Sequence, residues 1–361
     1  MAFLFGRQYS KDELLQKVGS ISQIGGVRRF VLSEGKEAGV EAIEFKTGSG
    51  LNFTVLPSRG MDISSADFCG RSLCWRSATT DVSPAYYEEP DFGWLRSFFG
   101  GLVVTCGLTY AGAPCEDQGK KLGLHGRASN TPARNVCADG EWDGDDYVMW
   151  ARGKVQEATV FGENLCLTRE IKAKLGESRL FIHDSVENLG YNTTEHMILY
   201  HINIGFPVID EDSELLTASI KVDPRDADAE VEKEKYATFL PPTPGFRERV
   251  YYHEVAPDAD GYCLAAVVNR KFDGGKGFGV YVKYPKAELP HLIEWKMAGQ
   301  GVYVMGVEPG NCHVEGRAKE RARGTLPFLK PGEIREYHLE IGVLDGNAVI
   351  SKFEEAIKSL L

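Results

Sequence analysis

Hydrophobic and polar residues alternate with a period of two along most of the chain between its two ends. Ile43, Phe45 and Thr47 alternate with charged residues, and the turn Gly48-Ser49-Gly50 leads into a second alternating run from Leu51. Since successive side chains of a β-strand point to opposite faces, this pattern predicts two strands joined by a turn. Similar runs recur at residues 165–173 with 180–186, at 278–284, and at 293–297 with 302–305. Many short strands of this kind predict an all-β sandwich or barrel.

Helical periodicity is confined to the two ends of the chain. Ser10 and Glu13 have the spacing of a capping box and Gly19 provides a stop, so a short helix is predicted over about residues 10–19. Apolar residues at helical spacing predict a second helix over about residues 347–360. We find no internal repeat, and large all-β folds often use such a length as one unit. A single domain over residues 1–361 is therefore expected.

Composition and charge narrow the range of partners. The 361 residues carry 52 acidic and 41 basic side chains, for a net charge of −11, without any basic block. Nucleic acids and anionic membrane surfaces need clustered cations, so neither is an expected partner. No apolar run approaches the roughly 18 residues of a membrane-spanning helix, and the N-terminus lacks a signal-peptide pattern. The eight cysteines are scattered, which is typical of a reducing compartment, and the expected location is cytoplasmic. The sequence is compatible with a homodimer and does not determine the oligomeric state.

One predicted strand near the middle of the chain carries two polar residues on a single face. In the run from Tyr200 to Ile204, a period of two puts His201 and Asn203 on one face and the remaining residues on the other. A buried histidine and a buried asparagine need hydrogen-bond partners, which the wall of a polar cavity would provide. The alternative is a core histidine bonded to backbone, and this strand alone favours neither.

A carboxylate ends another apolar run. Glu308 shares a face with Val304 and Gly306 and precedes a Pro-Gly-Asn turn. Burial at the end of a strand raises the pKa of a carboxyl group, which suits a general base working near neutral pH. The alternative is a solvated glutamate at the start of a turn, and in isolation that alternative is favoured.

A histidine beside glycines and several arginines are further candidate ligands. His125 lies close to two glycines and is followed by Arg127 and Asn130, so the backbone can approach a ligand while donor groups point towards it. Arg59 and Arg96 lie in two other short segments. Such donors suit sugar hydroxyls, whereas a glycine-rich surface loop and structural ion pairs are the alternatives.

Several kinds of site are excluded by the sequence. The chain has no phosphate-binding loop, no G-x-S-x-G nucleophile elbow and no H-E-x-x-H zinc motif. A metal site of His125, His201 and Glu308 is chemically feasible, but no spacing supports it, so neither a metal nor another cofactor is expected. The strongly charged residues 223–235 are predicted to form an exposed loop.

Taken in order, these segments resemble the aldose 1-epimerase (galactose mutarotase-like) family. The resemblance rests on residues 57–63 (PSRGMDI), 100–108 (GGLVVTCGL), 124–127 (LHGR), 200–203 (YHIN), 295–297 (WKM) and 306–311 (GVEPGN). It extends from about residue 43 to the closing turn at 330–333. The resemblance implies a large β-supersandwich of two stacked sheets with the sugar in an open cleft on one concave sheet, and it supplies no cofactor.

The resemblance also implies roles for individual residues. Glu308 is expected to be the general base and His201 the general acid, with His125 near the ring oxygen or bound to the substrate. The expected substrate ligands are His125, Arg59, Arg96, Arg127, Asn130, Asn203 and Lys296. Either Arg59 or Arg96 is the counterpart of the family's sugar-binding arginine. The family's hydroxyl-binding aspartate has no clear counterpart in this sequence, and Asp184 and Glu248 are the candidates to replace it.

These roles predict interconversion of the anomers of a small-molecule sugar by ring opening. Glu308 removes the proton of the anomeric hydroxyl while His201 protonates the ring oxygen. The C1–O5 bond then breaks, the aldehyde rotates about C1–C2, and the ring closes to the opposite anomer. The two groups are expected to face one another across the sugar. Two rivals are another carbohydrate isomerase, epimerase or lyase on this scaffold, and a non-catalytic sugar-binding protein.

Overall fold

The computed structural model describes residues 1–361, and β-strands dominate it. In chain order the strands are β1 (Ala2–Leu4), β2 (Arg7–Tyr9), β3 (Gly26–Val31), β4 (Glu41–Lys46), β5 (Leu51–Leu56), β6 (Asp62–Phe68), β7 (Arg71–Ser72), β8 (Val104–Leu108), β9 (Cys115–Asp117), β10 (Lys120–Leu122), β11 (Arg134–Asp143), β12 (Asp146–Ala158), β13 (Asn164–Lys174), β14 (Arg179–Asn188), β15 (Thr194–Glu195), β16 (Met197–Ile204), β17 (Glu214–Thr217), β18 (Ser219–Pro224), β19 (Arg249–Val255), β20 (Tyr262–Asn269), β21 (Phe278–Pro285), β22 (His291–Ala298), β23 (Tyr303–Gly310), β24 (Phe328–Leu329) and β25 (Ile334–Asp345). The helices are α1 (Lys11–Leu15), α2 (Ala227–Glu230), α3 (Phe272–Gly275), α4 (Arg317–Arg323) and α5 (Asn347–Lys358). None of them is long and apolar enough to cross a membrane.

Three large antiparallel sheets organise these strands. The eight-stranded sheet has the order β11-β12-β13-β14-β25-β21-β20-β17, and the six-stranded sheet has the order β18-β19-β22-β23-β16-β8. The five-stranded sheet follows chain order from β3 to β7, and three pairs of short strands complete the set. The two central strands of the six-stranded sheet, β23 and β16, come from distant parts of the chain, so the fold brings the segments around residues 200 and 308 together.

The main hydrophobic core lies between the eight-stranded sheet and the other two large sheets. One continuous cluster contains Leu167 and Ile341 from the eight-stranded sheet, Tyr200 and Val307 from the six-stranded sheet, and Phe45 from the five-stranded sheet. Burial of these alternate positions is the main favourable term for such a fold. The protein is therefore a large all-β sandwich, as the sequence predicts.

The local predictions are largely confirmed. The predicted hairpins form between β4 and β5, β13 and β14, and β22 and β23. Ser10 and Glu13 make the capping box of α1, although that helix ends at Leu15 and is shorter than predicted. The chain turns away after one and a half turns because α1 offers a single fully buried residue to the core. The C-terminal helix α5 forms as predicted and buries Ile350 and Ile357.

Candidate active site

A cavity of about 300 Å³ opens on the face of the six-stranded sheet that points away from the main core. Its apolar lining consists of Phe92, Trp94, Leu95, Phe98, Ala113, Leu124, Val250, Ile293, Trp295 and Val314. Its polar lining consists of His125, His201, Arg225, Glu248 and Glu308. A largely apolar cavity with a few converging polar groups is typical of a small-molecule site.

Strand register places His201 beside Glu308 in the wall of this cavity. Ile202 pairs with Val307 and Asn203 with Gly306 across β16 and β23, so the neighbouring positions 201 and 308 also lie next to each other. His201 Nε2 is 3.2 Å from Glu308 Oε1. The two groups stand side by side on adjacent strands, which corrects the expectation that they face one another across the sugar.

A glycine makes room for the carboxyl group of Glu308. A Cβ atom at Gly306 would collide with Glu308 Oε1, because the side chain of Glu308 folds back over that position. Across the strand pair, Gly306 lies opposite Trp295 and Glu308 opposite Ile293. The glycine in the GVEPGN segment therefore allows the carboxyl group to lie flat against its own strand.

Three buried polar atoms of the cavity have no hydrogen-bond partner. They are His125 Nδ1, His201 Nδ1 and Glu308 Oε1, since the close approach of the last to His201 is not aligned as a hydrogen bond. A buried polar atom without a partner costs about 1–3 kcal/mol. Such atoms at one cavity are expected where a polar ligand completes the hydrogen bonding.

Burial shifts the pKa of Glu308 upwards. Desolvation is the main cause of the raised pKa, the nearby Glu248 carboxylate adds to it, and Arg225 opposes it. A carboxyl group in this environment holds its proton near neutral pH more readily than an exposed one. Glu308 can therefore exchange a proton with a neighbouring group in the pH range where enzymes work.

The same environment lowers the pKa of both histidines. Burial is the main cause for His201, the neighbouring His125 lowers its pKa further, and Asn203 acts in the opposite direction. Burial alone lowers the pKa of His125 to about 4. Because neither charge of the Glu308–His201 pair is favoured, a neutral pair and an ion pair differ by the position of one proton between adjacent groups. This arrangement suits acid–base chemistry on a ligand that touches both.

His125 enters the cavity from a tightly folded loop. Its backbone has φ of +57°, a left-handed conformation that histidine adopts more readily than most residues. Its ring centroid is 4.8 Å from that of Trp94 and 5.7 Å from that of His201. The glycine that follows, Gly126, packs against the backbone of residues 107 and 110 rather than against open space for a ligand.

Aromatic rings surround His201 and Glu308. Phe98 stacks on Trp94 at a centroid distance of 4.6 Å, and the rings of Phe98 and Trp295 lie 5.2 and 5.3 Å from the ring of His201. Such rings bury a large apolar area and offer flat surfaces to the C–H face of a ring-shaped ligand. They also exclude water from His201 and Glu308, which strengthens the electrostatic effects on both.

Arg225 and Glu248 also line the cavity, and Arg225 was not among the predicted ligands. Arg225 lies in the segment predicted to be an exposed loop, but it is half-buried and donates from Nη2 to Glu248 at 2.9 Å and from Nε to Asp226 at 2.8 Å. Glu248 also accepts from Trp295 Nε1 at 2.9 Å. The loop prediction is wrong because the segment after Pro224 returns to the sheet, where the backbone of residue 225 donates to Val250. Glu248 was one of the two candidates for the hydroxyl-binding carboxylate.

Three expected substrate ligands lie near the His125 loop but do not line the cavity. Arg59 is fully buried and donates to the backbone carbonyls of residues 82, 97 and 129. Asn130 accepts from the hydroxyl of Ser97. Arg127 pairs with Glu89 and Glu157. All three side chains stabilise loops, because backbone carbonyls and carboxylates within the fold occupy their donor groups.

The other three also lie outside the cavity. Lys296 follows Trp295 on β22, so alternation points it towards the core, where Nζ donates to the carbonyls of residues 235, 236 and 238. Asn203 is buried behind His201 and donates to the carbonyls of Gly101 and His201. Arg96 is exposed and pairs with Glu88.

The alternative hydroxyl-binding carboxylate, Asp184, is a core residue. It accepts a bidentate pair of hydrogen bonds from Arg169 and a third hydrogen bond from the hydroxyl of Tyr200. Arg169 also donates to Asp62, and all four side chains are completely buried. Such a fully bonded network ties β13, β14 and β16 together and leaves no group free for a ligand.

The sequence matches a family model. The family model described as "Domain of unknown function (DUF4432)" matches residues 37–343. No curated protein matches the sequence.

Solved structures share the fold. A candidate aldose 1-epimerase from Klebsiella pneumoniae is 28% identical, covers 98% of this chain and 91% of its own, and superimposes with a TM-score of 0.89. A galactose 1-epimerase from Lactobacillus acidophilus (14% identity, 89% and 99% covered) and a galactose mutarotase-like protein from Clostridium acetobutylicum (13%, 90% and 99%) each give a TM-score of 0.57. The last two similarities concern the fold alone. Together the three confirm the resemblance to galactose mutarotase-like proteins.

Proposed function

This chain belongs to the family described as Domain of unknown function (DUF4432), and from its cavity and its structural neighbours we propose that it is an aldose 1-epimerase. The reaction interconverts the α and β anomers of a free sugar. The similarity to the Klebsiella pneumoniae protein, whose description names this activity, supports the proposal. The chemistry itself is argued from the residues of the cavity.

One observation carries the proposal: His201 Nε2 and Glu308 Oε1 lie 3.2 Å apart in a cavity wall. The anomeric hydroxyl and the ring oxygen of a sugar are bonded to the same carbon, so two adjacent side chains can reach both at once. The reaction therefore does not need two groups that face each other across the cavity. His201 Nδ1 and Glu308 Oε1 have no hydrogen-bond partner within the fold, which supports a polar ligand at this pair.

The proposed mechanism moves two protons. In the ion-pair form, which burial disfavours relative to the neutral pair, the Glu308 carboxylate takes the proton of the anomeric hydroxyl, while the His201 imidazolium gives a proton to the ring oxygen. The C1–O5 bond breaks and leaves the open-chain aldehyde, which rotates about C1–C2. Reversal of both transfers closes the ring on the other face and restores the pair. Each transfer by a positioned group contributes on the order of 10²–10⁴-fold.

The remaining polar groups are proposed to hold the sugar. Glu248 retains acceptor capacity beyond its bonds from Arg225 and Trp295, and a carboxylate suits a pair of hydroxyl donors. His125 Nδ1 is free to bond a hydroxyl or the ring oxygen. Trp94, Phe98 and Trp295 suit the apolar face of a pyranose.

The proposal is tested by following anomer exchange with purified protein. Polarimetry of freshly dissolved aldoses and aldose phosphates, one at a time, should reveal at least one sugar whose mutarotation is accelerated in proportion to enzyme concentration. Glu308→Gln should remove that acceleration while the protein remains folded. A sugar that binds without any acceleration would instead favour a non-catalytic sugar-binding protein.

A matched control comes from the outer surface of the eight-stranded sheet. His183 and Glu336 form another histidine–glutamate pair there, with Nε2 and Oε2 2.5 Å apart and both side chains about half exposed. Glu336→Gln makes the same chemical change as Glu308→Gln but outside the cavity. Full activity in Glu336→Gln and none in Glu308→Gln is the expected result, and equal activity in the two variants would refute the assignment of Glu308.

A further inference from the structure

Glu157, a buried glutamate of the eight-stranded sheet, binds the chain at residues 108 and 109, where β8 ends and a loop begins. Glu157 lies near the end of β12 and is only 6% exposed. Its carboxylate accepts from the backbone N–H groups of Leu108 and Thr109 at 2.8 and 3.3 Å, and from the hydroxyl of Thr109 at 2.5 Å. Three donors from two consecutive residues fix the conformation of this loop.

Arg127 connects the same carboxylate to a second loop. Its Nη1 donates to Glu157 at 3.2 Å, its other terminal nitrogen pairs with Glu89, and its guanidinium lies 5.4 Å from the ring centroid of Tyr110. An arginine held by two carboxylates and an aromatic ring has little freedom to turn towards a ligand. Arg127 therefore connects its own loop, which contains His125, to Glu157 on β12 and, through that carboxylate, to the loop at residues 108 and 109.

Backbone hydrogen bonds between the His125 loop and residues 107–112 fix the backbone of His125. Gly107 N–H donates to the carbonyl of His125 at 3.0 Å, Arg127 N–H donates to the carbonyl of Gly107 at 2.9 Å, and His125 N–H donates to the carbonyl of Gly112 at 2.9 Å. A left-handed backbone at a non-glycine residue costs on the order of 1–3 kcal/mol and persists only where its surroundings impose it. At His125 the surroundings that do so are the loops tied together by Glu157 and Arg127.

We propose that Glu157 and Arg127 are positioning residues that keep the ring of His125 in the cavity. The inference rests on the proposed function, in which His125 binds the substrate beside its ring oxygen. Neither side chain lines the cavity, so they act through His125. Loss of the clamp releases the two loops, His125 leaves its left-handed conformation, and its Nδ1 moves away from the sugar. Misplacement of a reacting group by about 1 Å can cost up to 10²-fold in rate.

A double-mutant cycle separates this role from a general contribution to folding. Glu157→Gln should lower kcat/KM by about 10-fold to 10²-fold in the wild-type background. In a His125→Asn background, which already lacks the ring, Glu157→Gln should have almost no further effect. If Glu157→Gln lowered kcat/KM by the same factor in both backgrounds, the residue would not act through His125 and the inference would be overturned.

Two further variants serve as a control and as an alternative for this experiment. Glu163→Gln removes a carboxylate that lies outside the clamp and pairs with Lys120, and it should leave kcat/KM unchanged. If Glu157→Gln does not fold, Thr109→Val removes only the hydroxyl contact to the clamp and should give a smaller loss with the same non-additivity. An additive loss in Thr109→Val would overturn the inference equally.

A second readout does not depend on turnover. In protein labelled at the histidine rings, Glu157→Gln should shift the NMR signal of His125 and leave that of the remote His183 in place. An unmoved His125 signal would contradict the positioning role. If the wild type accelerated no sugar, the proposed function would fail, and this signal would still decide whether the clamp positions His125.

Discussion

Two buried histidine–glutamate pairs lie on opposite faces of the same six-stranded sheet. On the cavity face, His201 Nε2 and Glu308 Oε1 are 3.2 Å apart. On the core face, His253 Nε2 and Glu294 Oε2 are 3.1 Å apart and form a hydrogen bond. The two pairs have similar composition, separation and burial, so none of these properties by itself distinguishes a site from a structural contact.

The hydrogen bonding of the histidine and access to a cavity separate the two pairs. His253 uses both ring nitrogens, because Nδ1 bonds the hydroxyl of Ser219 at 2.8 Å. His201 leaves Nδ1 without a partner, and its contact with Glu308 is not aligned as a hydrogen bond. The core histidine is thus fully bonded within the fold, although Glu294 Oε1 has no partner, whereas the cavity histidine has capacity left and borders a cavity that a ligand can enter. A completed pair contributes stability, and an incomplete one is available for chemistry.

The largest expected difference between the two pairs is in turnover. His201→Asn should lower kcat by about 10²–10⁴-fold, because it removes a group that transfers a proton. His253→Asn makes the same change on the core face and should leave the kcat of the folded protein close to that of the wild type. Mutarotation rates of both variants check the prediction, and a comparable loss in both would mean that the cavity pair has no special role.

Stability should respond in the opposite sense. Glu294→Ala should lower the free energy of unfolding by about 3–5 kcal/mol, because it removes one partner of a buried pair and leaves the other uncompensated. Glu308→Ala should cost less: each carboxyl group has one oxygen without a partner, but Glu294 Oε2 also bonds His253 Nε2, whereas Glu308 makes no aligned hydrogen bond to His201. Urea unfolding of both variants at pH 7 measures the difference. A larger loss for Glu308→Ala than for Glu294→Ala would contradict the comparison.

The lowered pKa of His125 should also make the free energy of unfolding depend on pH. The folded pKa of His125 is about 4, below its unfolded value of 6.5, so the unfolded state binds more protons between these values. Its contribution to stability is therefore lost as the pH falls from 6.5 to 4, by about 3 kcal/mol in total. His125→Asn should flatten the stability profile in that window, as measured by urea unfolding. An unchanged slope would mean that His125 is not desolvated.

Glu308 should contribute with the opposite sign. Its folded pKa is raised above the unfolded value of 4.5, so the folded state binds more protons above pH 4.5. Stability contributed by this group is present below pH 4.5 and is lost as the pH rises through the folded pKa. Glu308→Gln should therefore become more stable relative to the wild type with increasing pH, and a fall in relative stability would contradict the raised pKa.

The smallest effect is expected for the exposed pair. His183 and Glu336 are about half exposed, and exposed ion pairs typically contribute about 0–1 kcal/mol. Glu336→Gln should therefore change the free energy of unfolding by less than about 1 kcal/mol. Distance alone would rank this pair first, since its atoms are closest, and a large effect here would show that burial is the wrong criterion.

The sequence predicted many of the strands and the face of the strand on which His201 lies. Strict alternation around Tyr200 and Ile202 predicted that His201 occupies the other face of β16, and the structure confirms this. Glu308 was singled out by the family resemblance, since its apolar run alone favoured a solvated glutamate, and the structure places it buried in the cavity wall. Local periodicity and short motifs carry this information because each depends on residues close together in the chain.

The supporting ligands were predicted less well for a physical reason. Alternation along residues 293–297 puts Lys296 on the face opposite to Trp295, but only the order of the strands in the sheet decides that this face points to the core. Arg59 and Arg127 meet their partners through loops separated by tens of residues, and Arg225 reaches the cavity through the pairing of β18 with β19. Such long-range pairing leaves no local signal in a single sequence.

Saturation-transfer NMR between the α- and β-anomer signals of a sugar at equilibrium measures the proposed reaction most directly, because it follows ring opening without any coupled step. For a sugar selected by polarimetry, the wild type should add an exchange rate proportional to enzyme concentration, and Glu308→Gln at the same concentration should add none. Undiminished exchange with Glu308→Gln, or no added exchange by the wild type for any sugar, would contradict the assignment of the reaction to the His201–Glu308 pair.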